Sequence, residues 1–141
     1  MAGVIERFDR KAVLDGALLA LAVCVPLQAL AAVIVEEDER SGWTSLLALA
    51  TFLGLVAGAA LAARNQRRDT PISHGIVTAT GVFVCVQFVL SVLKALRGDE
   101  IRWDRISASF ALTMLAGVLG GFIGSAMARR RDEVTGKRGV A

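Results

Sequence analysis

The chain has no tyrosine, one histidine, two cysteines and two prolines in 141 residues. Each scarcity excludes something. Cys24 and Cys85 stand singly inside apolar stretches, with no CxxC spacing and no histidine beside them. A disulfide framework and a zinc site therefore have no sequence basis, and both thiols read as small buried apolar groups. His74 has no Cys/His/Asp cluster around it, so no metal and no other cofactor is expected. EF-hand spacing, a P-loop, GxSxG and HExxH are all missing. No carboxylate lies deep in an apolar run. Without a nucleophile–base pair or a metal constellation, the expectation is that the chain is not an enzyme.

What is abundant is apolar sequence. Hydrophobic residues make up 55% of the chain and the mean hydropathy is +0.58. They come in long runs, which points to the bilayer. The net charge of +3 and the pI near 9.4 do not imply nucleic acid, because the cations flank the runs instead of forming one face. Arginine outnumbers lysine thirteen to three, a composition that fits a GC-rich bacterial genome.

Four runs cover residues 16–35, 43–63, 75–93 and 106–128. Each is long enough to cross a hydrocarbon layer of roughly 30 Å at about 1.5 Å per residue. Trp43 and Trp103 stand at interface positions. The basic start and Ala29-Leu30-Ala31 resemble a signal peptide, but Asp15 interrupts the early run and the apolar residues continue through Val35. With both termini inside, eleven Lys and Arg fall on the inner side and five on the outer. The positive-inside rule then puts both termini in the cytoplasm, in a cell (inner or plasma) membrane.

A glycine ladder occurs twice, as FLGLVAGAALAAR at 52–64 and VLGGFIGSAMARR at 118–130. At a spacing of 66, Gly54, Gly58, Ala62 and Arg64 fall on Gly120, Gly124, Ala128 and Arg130. Small residues at every fourth position form a stripe where two helix backbones can approach closely. Gly117, Gly121 and Ser125 add a second stripe on the fourth run, available to another neighbour. The first and third runs align at a spacing of 59, with Asp15-Gly16 on His74-Gly75 and Gln28 on Gln87. The chain thus reads as one helical hairpin used twice, with the copies in parallel orientation.

Polar residues within the runs are the candidate sites. Gln28 and Gln87 each lie 12 residues beyond a helix-start glycine, about 18 Å along the helix and just past the bilayer middle. An amide there must find a partner. Either it bonds between helices, or the pair lines a binding position. Thr80, Gln87, Ser91 and Lys94 share one face of the third helix. Asp15 and His74 form a candidate inner-face pair, as helix caps or as a proton relay. Residues 36–39, three glutamates and an aspartate, read as a solvated loop.

The expected fold is all-α: a single four-helix transmembrane bundle over residues 1–141, made of two duplicated hairpins. Helices are expected at about 12–35, 43–63, 73–97 and 104–129, with a disordered basic tail at about 130–141. The second and fourth should pack through Gly54/Gly58 and Gly120/Gly124. The expected function is that of an accessory, assembly or structural membrane protein. It would contact lipid and either itself or another membrane protein, and not nucleic acid. The alternative is a small oligomeric transporter or channel built on Gln28 and Gln87.

Four runs over nearly the whole chain, with LGLVAG and LGGFIG in the second and fourth, resemble the small uncharacterised four-helix membrane proteins of Gram-positive bacteria called YrzE-like. That resemblance implies an integral membrane protein and brings no catalytic residues. The size is also similar to that of small multidrug-resistance transporters. Those are expected to carry a membrane-embedded glutamate in the first helix, where this chain has only Asp15 at the edge.

Overall fold

The computed structural model describes residues 9–34, 42–66, 70–98, 100 and 103–138, and nearly all of these are helical. The helices are α1 (Arg10–Ile34), α2 (Gly42–Asn65), α3 (Pro71–Arg97) and α4 (Trp103–Arg138). All four are long and apolar enough to cross a membrane. Their outward faces carry Leu18, Leu53, Phe88 and Leu112, each exposed. In water such a surface would be a liability; in a bilayer it meets lipid. The acidic loop at 36–39 lies outside the described residues.

Local sequence accounts for the helix ends. The Asp9 carboxylate accepts the amide hydrogens of Lys11 (3.2 Å) and Ala12 (3.4 Å), which caps α1. Asp15, considered for that task, sits in the second turn of the helix instead. Pro71 occupies the first turn of α3, where its missing N–H costs nothing. That helix ends at Gly98, whose φ of 75° is the left-handed turn that closes a helix without a side-chain clash. The fourth helix continues to Arg138, through much of the stretch expected to be disordered. Alanine, methionine and arginine are good helix formers, and no glycine or proline interrupts 125–135.

The helices form a ring in the order α1, α2, α4, α3, with α2 and α3 also touching across the middle. No Cα atoms of α1 and α4 come within 8 Å of each other among the described residues. An exact two-fold axis exchanging the hairpins would repeat the α2–α3 contact between α4 and α1, so the ring does not have that symmetry.

Small residues form three seams. A Cβ built on Gly58 would lie 2.6 Å from the Gly16 carbonyl oxygen and 2.7 Å from the Ala20 Cβ. In the other hairpin, a Cβ on Gly75 would lie 2.5 Å from the Gly117 oxygen and 2.9 Å from the Gly121 nitrogen. The pairs 16/58 and 75/117 differ by 59 in both members, so the hairpin seams repeat at 59 on both helices, not at 66 on the second. The third seam joins α2 to α4. There a Cβ on Gly120 would meet Ala59 Cβ at 2.5 Å and Val56 O at 2.6 Å, and Gly124 abuts Ala60 and Ala63.

The expected contact between Gly54/Gly58 and Gly120/Gly124 is thus half altered. Gly120 and Gly124 do face α2, but they meet its alanines. Gly54 and Gly58 turn to α1, where a Cβ on Gly54 would approach Val23 at 2.7 Å. The stripe of Gly117 and Gly121 lies against α3 of the same chain, at Gly75, Ile76 and Ile72. Two small faces on α2 and two on α4 let each of these helices pack closely against two neighbours, α2 on α1 and α4, and α4 on α2 and α3.

Candidate functional site

The three seams draw the helices together over the half of the bundle that holds the end of α2 and the start of α3. In the other half the side chains are larger and the helices leave a cavity of about 280 Å³. All four helices line it: Cys24, Gln28 and Ala31 from α1; Leu47, Thr51, Phe52 and Leu55 from α2; Val82, Val86, Gln87 and Leu90 from α3; Ser109, Leu112 and Thr113 from α4, among others. Its floor is the buried cluster of Ala20, Cys24, Leu55, Val82 and Ala116. Phe83 packs against Phe110 with ring centroids 5.5 Å apart, which braces α3 against α4 at this level.

Gln28 and Gln87, matched in the sequence, face the same cavity. They are not bonded to each other. The Gln87 amide nitrogen donates to Ser91 Oγ on its own helix (3.5 Å), so Ser91 reaches the site only through Gln87. Thr80 points elsewhere: its hydroxyl donates to Met114 Sδ of α4 (3.4 Å) and is not part of the cavity wall. The four candidate polar residues therefore divide, with Gln28 and Gln87 at the site, Ser91 behind it and Thr80 in the α3–α4 seam.

Sequence reasoning missed four polar members of the wall. Thr51 donates to Leu47 O and Thr113 to Ser109 O, both at 2.8 Å. With their hydrogens committed to their own helices, these hydroxyls face the cavity as acceptors. The Cys24 thiol lies 3.6 Å from Thr51 O, a weak bond between α1 and α2. Ser109 completes the set. A signal for one of them was present: continuing the stripe of Gly121 and Gly117 one turn back leads to Thr113. Cys85, expected to be buried, is exposed on the outside of α3.

The second polar cluster is at the opposite end. His74 is fully buried. Its Nε2 accepts the Asp9 amide hydrogen at 2.9 Å, and its Nδ1 lies 2.9 Å from the Thr70 carbonyl oxygen. An amide on one side and a carbonyl on the other assign the neutral ring with its hydrogen on Nδ1. Gln66 Oε1 accepts the Thr70 amide hydrogen at 3.1 Å. The ring thus ties the start of α1 to the α2–α3 turn. It bonds to Asp9 and not to Asp15, so the inner-face pair of the sequence reading is replaced by this tether. Its nitrogens are engaged in holding backbone, an arrangement suited to fixing a turn.

Among the described residues no three His, Cys, Asp or Glu side chains converge as a metal site would require. No curated protein and no solved structure matches the chain. Residues 10–124, which take in α1 to α3 and most of α4, match the family described as protein of unknown function DUF3792, and the chain belongs to that family.

Proposed function

We propose that this chain is a non-enzymatic polytopic membrane protein that holds a small molecule inside the bilayer, in the four-helix cavity. The observation that carries the reading is the convergence of Gln28 and Gln87, 59 residues apart in the chain, on one cavity walled by every helix. Two amides kept within apolar spans cost free energy unless they are used. The seams favour a binding protein over a channel, because Gly58, Gly117, Gly120 and Gly124 leave backbones in contact across the other half. The matching 59 spacing of the hairpin seams supports descent from one duplicated hairpin. The excess of Lys and Arg near the termini and the middle turn supports cytoplasmic termini, with the cavity toward the outer leaflet.

The test is purification from native membranes in mild detergent, followed by organic extraction and mass spectrometry of both polypeptide and small-molecule fractions. The expected result is a small molecule at about one per chain that is lost from a Ser109→Trp variant, whose indole would block the cavity wall. Stoichiometric foreign polypeptides with an empty extract would replace this reading with that of an accessory subunit.

Self-association is a second reading, favoured by one observation. Gly81 on the exposed side of α3 has nothing within 4 Å of where a Cβ would be, and Cys85 is exposed one turn along. A self-packing face there predicts a Cys85–Cys85 disulfide on mild oxidation in the membrane. Gly81→Leu would abolish it, and monomeric mass with no cross-link would remove the reading.

A further inference from the structure

We infer that the cavity takes the head of an uncharged, oxygen-bearing lipid, one with a hydroxyl or carbonyl on a hydrocarbon chain, entering sideways from the bilayer. The inference rests on the binding reading above and adds the class of ligand.

Charge is the first argument. None of the residues lining the cavity is Asp, Glu, Lys, Arg or His. A charged head would be desolvated with no counter-charge, which costs several kcal/mol. Hydrogen bonding is the second. The Gln28 amide makes no hydrogen bond to a described residue, and Gln87 commits one N–H to Ser91. Amide hydrogens therefore remain to be accepted. The acceptors facing them include the Thr51 and Thr113 hydroxyls, already donating to their own helices. A ligand oxygen that accepts from an amide, and in an alcohol also donates to a threonine, matches this set. The remaining wall is aliphatic and aromatic, as a chain needs.

Position and size complete the case. The exposed members of the wall are Ala48 on α2 and Ser109 and Leu112 on α4. Ala48 and Ser109 each lie six residues from the start of their helix, about 9 Å along it and below the headgroup level. The mouth therefore opens between α2 and α4 into hydrocarbon. A volume of about 280 Å³ equals roughly nine waters. That accommodates a head and the first part of a chain, with the remainder leaving through the mouth.

The experiment uses the full chain in phosphatidylcholine nanodiscs with three clickable, mid-chain diazirine probes: hexadecanol, hexadecyl sulfonate and hexadecyl trimethylammonium. Labelled residues are mapped by peptide mass spectrometry. Hexadecanol should label residues 47–55 and 109–113 more than about tenfold over either charged probe, as the desolvation cost of an uncompensated charge requires. Unlabelled hexadecanol should compete. The double variant Gln28→Leu, Gln87→Leu, which keeps side-chain bulk, should lose most of the hexadecanol labelling, about fivefold, the factor that one hydrogen bond supplies. Ser109→Trp, which keeps both amides, should lose it too, so a folding defect in one variant does not decide the matter. Equal labelling of the cavity by all three probes, or hexadecanol labelling unchanged by Gln28→Leu, Gln87→Leu, overturns the ligand class and leaves the binding reading standing. Labelling confined to outward positions such as Val84 and Phe88 overturns both.

Discussion

Residues that differ by a single methyl group carry much of this fold. Gly58→Ala would push a Cβ to 2.6 Å from the Gly16 oxygen, and Gly75→Ala would set one 2.5 Å from the Gly117 oxygen. Backbone must yield in both cases, so each change should destabilise the bundle by about 1–3 kcal/mol. Gly81→Ala meets nothing within 4 Å and should be within about 0.5 kcal/mol of the parent. Unfolding of the three variants in mixed micelles measures the difference; equal stabilities would mean that the seams are looser than described. His74→Ala removes the acceptor for the Asp9 amide and the partner of Thr70. The expected loss is about 1–3 kcal/mol, with faster amide exchange at Asp9 as its local sign. Exchange at Asp9 unchanged from the parent would show that the tether is not formed.

Elements were the most legible scale, and the reason is physical. Apolar runs of about 20 residues bounded by charge read as helices long enough to span, because within lipid the backbone must bond to itself. Boundaries were harder. The cap of α1 fell to Asp9 and not to Asp15, since a carboxylate caps only from the position just before the first turn. Seam partners were harder still. Glycine spacing shows that a face is small, but α2 and α4 each carry two small faces, and only tertiary structure decides which neighbour each one meets. Thus the 66-residue alignment matched stripes that look alike, while the contacts repeat at 59. The cavity was legible in Gln28 and Gln87 and hidden at Thr51, whose hydroxyl looks like that of an ordinary helix-bound threonine. One element-scale expectation follows from α4. If its helix runs to Arg138, backbone chemical shifts of 132–138 in micelles are helical, and random-coil values there would return the end to near Arg131.

For the molecule as a whole, four spans put both termini on one side of the membrane. Single cysteines introduced at Gly3 and at Val140 in a chain free of Cys24 and Cys85 should therefore share their accessibility to an impermeant maleimide. Under the proposed orientation both react only after the cytoplasmic face is opened. Opposite behaviour at the two ends would break the four-span arrangement. The sealed half also predicts that liposomes carrying the protein hold a small-ion gradient as well as empty ones do. A leak abolished by Gln28→Leu would point instead to a conducting path.

The pairing of the seams also bears on the order in which the chain is made. Gly16 and Gly58 join helices that are consecutive in the sequence, as do Gly75 and Gly117. The first hairpin can therefore close its seam while α3 is still being synthesised, and the second needs nothing from the first to close its own. The α2–α4 seam is different, because Gly120 and Gly124 are among the last membrane residues to emerge. Until they arrive, the first hairpin's alanine face at Ala59, Ala60 and Ala63 remains uncovered in the bilayer. Completion of the bundle is thus tied to completion of the chain.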